Sequence, residues 1–505
     1  MRKSFIYTSL LLLILLIVLG LWVNKLFITV LLVLSPVFLL GWYDILQPWH
    51  SIKRNFPIVG RLRYVLESMG PKVYQYFIEG ETNGTPINRN LRSLVYQRAK
   101  NTVDTLPFGT RELVYEEGYE WMNHSIDPLA LEDIPEDIRI TIGGKQCKKP
   151  YSASILNISA MSYGSLSANA ILALNGGAKK GGFAHNTGEG GISRHHLNYE
   201  GDLIWQIGTG YFGCRTHEGD FDEEMFKQNA AAESVKMIEL KLSQGAKPGH
   251  GGILPAKKNN AEIASIRGVK PHTQVVSPPY HKEFKGKGHR GLLEFVERLR
   301  NASGGKPVGF KMCMGNPVEF EALCDEILNS GIYPDYITID GGEGGTGAAP
   351  LEFSNSVGMP FKEGLSTAYT ILVRKGLKDE IVLGCSGKIV TGFDIFRAFA
   401  LGADFCYSAR AMMLAIGCIQ ALECNLNTCP SGVATQDPFL TQGLVVKHKI
   451  DRVSNFHKET LHSFRELLAS AGLKDTKQIT RDHIFRRVTL SEIKTYTDIY
   501  GKAYD

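Results

Sequence analysis

The sequence has little net charge: across 505 residues the formal balance is only +5. That is too mild to argue for nucleic acid, and no basic stripe interleaved with aromatics is present. It also lacks a disulfide framework. Its nine cysteines are an odd number scattered through a long chain, which does not suit a stapled secreted domain. Six of them read most simply as small buried apolar residues. No GxGxxG opens a first helix, so direct use of a nicotinamide dinucleotide is not evident. Low-complexity segments and short repeats are also missing. Glycine is abundant instead: 53 residues exceed the usual share of about 7%, so the backbone must turn tightly or approach something closely at several places.

The N-terminus is the least polar part. Phe5 to Val23 is an uncharged run, followed after Asn24 and Lys25 by a second from Leu26 to Tyr43. A helix over the first would span roughly 28 Å, close to a bilayer's hydrocarbon thickness. The expectation is a transmembrane hairpin over 1–48. Arg2 and Lys3 precede the first apolar run, and Lys53, Arg54, Arg61 and Arg63 follow the second. This places the protein in the cell membrane as a two-helix, multi-pass protein with both ends and the catalytic body in the cytoplasm. Trp42, Tyr43 and Trp49 would sit at headgroup level. The competing reading, a cleaved signal peptide, leaves the second run unexplained.

From about residue 150 a short apolar run, a polar glycine-rich turn and a helical stretch alternate. This predicts an α/β protein with a parallel sheet, more specifically a (β/α)8 TIM barrel over 151–440, with polar loops at the strands' C-terminal ends. Apolar runs are Ile155–Ala160, Leu203–Ile207, Lys236–Leu242, Val308–Met312, Tyr336–Asp340, Ile381–Gly384 and Asp404–Tyr407. Gly182–His185 and Thr273–Val276 also look extended, which leaves nine candidates for eight places. Residues 49–150 read as a lead-in packing on the barrel, and 441–505 as a helical tail whose stripe of Phe456, Leu461, Phe464, Leu467 and Leu468 faces a core.

One stretch carries the strongest chemical signal: Cys418-x5-Cys424-x4-Cys429-Pro430. Closely spaced thiols before a proline suit an iron–sulfur loop, because soft sulfur suits iron. Zinc would want a fourth ligand, and unliganded thiols are the third reading.

The stretch GCIQALECNLNTCPSGVATQDP resembles the cluster loop of the glutamate synthase large subunit. MSYGSLS (161–167), NTGEGG (186–191), ELKLSQGAKPG (239–249), VSPP (276–279), DGGEGGTGAAP (340–350) and SGKIVTGFDI (386–395) follow in that family's order. The wording is most similar to the shorter FMN-binding glutamate synthase family proteins. The resemblance implies FMN in the barrel and a 3Fe–4S cluster on Cys418, Cys424 and Cys429. It implies flavin contacts from Met161, Ser162, Tyr163, Thr187 and Gln206. Lys241, Gln244, Lys247 and Arg267 match residues that grip the carboxylates of 2-oxoglutarate, and Glu189 matches an acidic residue beside the substrate, a candidate for proton handling.

The residues fit a flavin site on physical grounds too. Gly341, Gly342, Gly344 and Gly345 follow an apolar strand and can expose backbone N–H groups to an anion, although each glycine alone also reads as a plain tight turn. Ser386-Gly387-Lys388 and Ser408-Ala409-Arg410 follow the last two strands, where barrels usually hold a phosphate. Lys311 lies inside an apolar strand. Either it snorkels to solvent or it needs an anionic partner; in similar barrels this lysine faces the flavin and takes part in catalysis. One departure stands out: where the family has GEGGQLP, this chain has GHGGILP, with His250 and Ile253, which removes one substrate contact. His195 and His196 read as loop residues.

The leading expectation is reductive amination of 2-oxoglutarate or a related 2-oxo acid by hydride from FMN, with electrons relayed through the cluster from a partner. Without an amidotransferase sequence in this chain, nitrogen would come from free ammonia or a separate amidotransferase. The alternative is a membrane dehydrogenase oxidising an amino or imino acid and passing electrons to a quinone or another acceptor. A non-catalytic membrane partner is the reading from another class.

Overall fold

The computed structural model describes residues 1–502. The chain forms two compact units, Met1–Pro86 and Ile87–Asp505, and the boundary falls inside the 49–150 segment.

In the first unit, α1 (Arg2–Trp22) and α2 (Leu26–Leu46) are both long and apolar enough to cross a membrane. They pack antiparallel: the Phe5 ring lies on Gly41, and Ile28 lies on Gly20. Neither glycine has room for a Cβ, which is how two helices come this close. The short helix Ser51–Asn55 and the helix Gly60–Val73 follow, the latter running into a π-helical turn at Tyr74–Ile78.

The second unit is built on a closed barrel of eight parallel strands. They are β1 (Leu156–Ile158), β2 (His185–Asn186), β3 (Leu203–Ile207), β4 (Val235–Lys241), β5 (Val308–Met312), β6 (Tyr336–Asp340), β7 (Val382–Ser386) and β8 (Phe405–Ser408). β8 pairs with β1 and closes the ring. The barrel expected from strand–helix alternation is therefore present. The surplus ninth candidate lies outside it: Val275–Val276 pairs antiparallel with Ile253–Leu254 in a ribbon of its own. An extended apolar stretch reads alike in both settings, because only its pairing partner differs.

Local sequence sets the helix ends. Ser167 caps Ala168–Gly181 through Ala170 N, Asn316 caps Pro317–Ser330, and Thr391 with Asp394 forms a capping box. A ribbon of Arg139–Ile142 and Tyr151–Ser154 puts Ile142, Tyr151 and Ala153 against Ile204, Met237 and Tyr336 near the strand starts. It plugs the N-terminal end and leaves the C-terminal mouth open. The helix Val446–Ser470 packs on Ala168–Gly181 and Arg89–Lys100, burying Phe456, Leu461, Phe464 and Leu468 as its stripe predicts, with Leu467 half-buried.

Candidate active site

The strand ends at the barrel mouth carry several buried charges. β4 and β5 pair with Lys241 beside Lys311 and Glu239 beside Gly309, and the two-residue period puts all four on one face. That face is the barrel interior, because Glu239 accepts hydrogen bonds from Asn186 of β2 (2.7 Å), Gln206 of β3 (2.7 Å) and Thr338 of β6 (3.1 Å). Burial raises the Glu239 carboxyl above its ordinary value, with Lys311 and the three donors opposing.

Lys311 does not snorkel. Its Nζ lies 3.4 Å from Asp340 Oδ2 at the end of β6, and both side chains are buried. The same carboxylate accepts the N–H of Gly245 at 2.8 Å and the hydroxyl of Ser386. Gly245 has no alternative here: a Cβ would stand 1.6 Å from the carbonyl oxygen of Gly341. The loops after β4 and β6 thus touch backbone to backbone, and Lys247 ties them again through Ala348 O at 2.6 Å.

Glu189, in the loop after β2, pairs with Lys241 at 3.1 Å. Burial pushes its carboxyl up, but Lys241, Arg267 and Lys247 together outweigh burial and hold it below the usual range. Gly208 and Gly252 flank it closely; a Cβ on Gly252 would fall 1.8 Å from Glu189 Oε1. Burial, then Lys241, push Lys247 down to about 8, with Glu189 opposing. Burial lowers Arg267 to about 10, again against Glu189. Arg267 donates to Tyr163 O (3.1 Å) and Ser162 Oγ (3.3 Å), and its Nε finds no hydrogen-bond partner among the described residues. Four of the five expected substrate residues, Glu189, Lys241, Lys247 and Arg267, therefore converge. Gln244 is half-buried in the same loop. Ile253 starts the outer ribbon, and His250 bonds Gly251 O at 2.8 Å.

Met161, Ser162 and Tyr163 lie in the loop after β1. Gly188 brings the β2 loop against it: with φ +65°, a Cβ would be 2.7 Å from Ser162 N. Thr187 Oγ1 accepts from Gln206 N at 3.1 Å, while the Gln206 amide faces inward on Glu239. The Tyr163 hydroxyl donates to Glu262 at 2.7 Å. His195 lies 3.2 Å from the same carboxylate, with its ring edge on Tyr163. His195 and His196 occupy a short helix, Arg194–Leu197, rather than a loop.

At the opposite side, the glycine loop holding Gly341, Gly342, Gly344 and Gly345 meets the ends of β7 and β8. Gly341 N donates to Ser386 O at 2.8 Å. Arg410 donates to Glu343 O at 2.8 Å and lies 3.3 Å from where a Cβ on Gly345 would be. Lys388, after Gly387, has φ +54°. Burial and Arg410 depress it, Glu343 opposing, and its Nζ makes no hydrogen bond or ion pair among the described residues. Ser408 Oγ donates to Ile389 O at 2.6 Å, and Ala409 precedes Arg410. Two neighbouring cations beside glycine backbone are an arrangement that can take an anion.

Cys418 and Cys424 are half-buried and Cys429 is buried. Burial pushes the Cys418 thiol up to about 12, and Cys424 and Cys429 add to it. Lys258 underlies this loop, donating to Cys424 O (3.2 Å), Ala434 O (3.1 Å) and Ser165 O (2.5 Å). Burial lowers it to about 8 against Cys424 and Cys429. One lysine thus ties the cysteine loop to the loop after β1. Among the described residues, no three His, Cys, Asp or Glu groups close around a single metal ion.

Residues 116–474 match the model of the conserved region in glutamate synthase. The chain belongs to the glutamate synthase family. It is 37% identical over 495 residues to the glutamate synthase large subunit-like protein YerD of Bacillus subtilis, covering 90% of this chain and 93% of that protein. It is 36% identical over 338 residues to an archaeal glutamate synthase [NADPH] of Methanocaldococcus jannaschii, covering 66% of this chain and 62% of the relative. Among solved structures, the flavin-binding domain of baker's yeast flavocytochrome b2 aligns at TM-score 0.44 and 11% identity, over 87% of this chain and 90% of that one. By its family this chain is a glutamate synthase-like oxidoreductase.

Sequence reasoning missed several of the family site's supports. Glu239 was visible in strand alternation beside Lys241, but its three donors were not. Asp340 opens the DGGEGG motif and carries no local sign of its tie to Lys311. Lys258 and Glu262 lie in the outer-ribbon segment and have no motif at all.

Proposed function

We propose that this chain uses FMN and an iron–sulfur cluster to aminate 2-oxoglutarate, or a related 2-oxo acid, reductively. The carrying observation is the charge balance at the mouth. Lys241, Lys247, Arg267 and Lys311 face Glu189, Glu239 and Asp340, and burial drives Glu239 toward its neutral form. An excess of buried cation suits a dianionic substrate.

FMN fits the residues present. Lys388 and Arg410, with Gly341, Gly342, Gly344, Gly345, Ser386, Gly387, Ser408 and Ala409, suit its phosphate. Met161, Ser162, Tyr163, Thr187 and Gln206 suit its ring. FMN when bound supplies hydride chemistry. The chain's own residues do the rest. Lys311 offers positive charge where reduction adds negative charge. Lys241, Gln244, Lys247 and Arg267 hold the substrate carboxylates. Glu189, kept ionised by Lys241, handles a proton at the imine or amine nitrogen.

Cys418, Cys424 and Cys429 would hold a 3Fe–4S cluster. Such a cluster would supply electron transfer, held by these three thiolates. Electrons would pass between a partner and the cluster, and nitrogen would be ammonia or come from a separate amidotransferase. α1 and α2 would anchor the body at the cytoplasmic face.

The test is an absorption spectrum with iron and sulfide assays, followed by glutamate formation from 2-oxoglutarate and ammonia with dithionite-reduced enzyme. Cofactor-loaded protein that forms no product with any nitrogen donor would sink the reading. The apolar helices favour a second reading, oxidation of an amino or imino acid with electrons passed to a quinone. Bleaching of the flavin by an amino acid would support it.

A further inference from the structure

The helix Gly60–Val73 and the turn Tyr74–Ile78 in the first unit are strongly two-faced. At 100° per residue, Leu62, Val65, Leu66, Met69, Val73, Tyr76 and Phe77 fall within an arc of about 120°. Arg61, Arg63, Glu67, Ser68, Pro71, Lys72 and Gln75 lie outside that arc, together with Tyr64, Gly70, Tyr74 and Ile78. The whole apolar stripe is exposed, from 39% at Val73 to 84% at Phe77, and Gly60 is the only buried residue of the helix. Soluble surfaces rarely leave so continuous an apolar strip uncovered.

We propose that this segment lies in the plane of an anionic lipid surface, with its apolar stripe at the acyl boundary. The proposal rests on reading α1 and α2 as a membrane hairpin. Two observations point to lipid. First, the helix is fixed to the foot of that hairpin. Asp44, near the end of α2, accepts the Arg61 guanidinium through both oxygens at 2.7–3.1 Å and the Ile58 N–H at 3.0 Å. The stripe therefore begins where the hairpin leaves the bilayer. Second, residues 51–78 contain Lys53, Arg54, Arg61, Arg63 and Lys72 against a single acid, Glu67. Basic residues flanking an apolar helical face match anionic headgroups. Trp49, 74% exposed, lies in the segment between the hairpin and this helix.

The test uses the full chain in vesicles of phosphatidylcholine and phosphatidylglycerol doped with a phospholipid bearing a diazirine in its acyl chain. After irradiation, adducts are mapped by peptide. Adducts on α1, α2 and peptides covering Leu62–Phe77 are expected. Adducts on the hairpin alone would overturn the proposal and spare the anchor. Adducts on neither would overturn the membrane reading on which it rests. The double variant Leu66→Asp, Met69→Asp is expected to lower adducts on the 60–78 segment about tenfold, since acid on the apolar face opposes insertion, with hairpin adducts unchanged. Undiminished labelling in that variant, or cross-links to a second copy in place of lipid, would also overturn it.

Discussion

At the scale of single residues, the site depends on ionised groups that hold one another charged. Glu189 stays ionised because Lys241 stands 3.1 Å away, with Arg267 and Lys247 adding to its effect. Glu189→Gln keeps the shape and removes the carboxylate proposed to handle the proton. We expect kcat to fall by about 10²–10⁴-fold and the melting temperature to drop as well, since Lys241 loses its buried partner; turnover of the folded, reduced variant beside a thermal melt separates the two. Lys247 gives a pH signature. Its folded value of about 8 lies below the ordinary 10.5, so the free enzyme loses this cation as pH rises through about 8. For an anionic substrate, kcat/KM should fall on that limb, and Lys247→Met should flatten it. Stability moves the other way. Between about 8 and 10.5 the native lysine has shed a proton that the unfolded chain retains, so unfolding becomes harder as pH rises.

At the scale of elements, close backbone approaches join the loops around the mouth. Gly245→Ala would put a methyl 1.6 Å from the Gly341 carbonyl oxygen, and no rotamer can relieve a clash between backbones. The glycine loop after β6 should shift, at a cost of about 1–3 kcal/mol, and the flavin-to-protein ratio of the purified variant should drop. A second tie lies farther out. Glu120, 3% exposed in its side chain, bonds Lys362 at 2.5 Å and Arg397 at 2.6 Å, fastening the segment after Ile87 to the barrel's helices. Burial raises this carboxyl, but Arg397 and Lys362 outweigh it and bring it below 4.5. Its stabilisation is therefore present above pH 4.5 and lost as pH falls through the native value. Glu120→Ala should cost about 3 kcal/mol, the low end for a broken buried pair, because both cations are a quarter exposed and can rehydrate. Chemical denaturation of the variant at neutral pH and at pH 4 should show the gap from wild type narrowing in acid.

At the scale of the whole molecule, the two compact units imply separable tasks. Residues 87–505 produced alone should keep flavin and cluster absorbance and lose sedimentation with membranes. Loss of both spectra in a well-folded fragment would show that the first unit supports the site. The barrel's polarity makes the expectation reasonable. The ribbon holding Ile142 and Tyr151 fills one end, so the charged mouth is the end left for ligands.

The sequence alone determined the barrel and both apolar helices, because strand–helix periodicity and long apolar runs are local properties of a chain; Glu189, Lys241, Lys247 and Arg267 were named by resemblance, and only the fold brings them together. It could not say which of its nine candidates, Gly182–His185 and Thr273–Val276 among them, lies outside the barrel, since pairing is a contact between distant residues. Nor could it tell that Lys311 is met by Asp340, that Glu239 is held by three different strands, or that Lys258 underpins the cysteine loop. Those partners are 29 to 176 residues apart. A buried charge announces that it needs a partner, but which one it finds was decided only when closing the barrel brought the strand ends together.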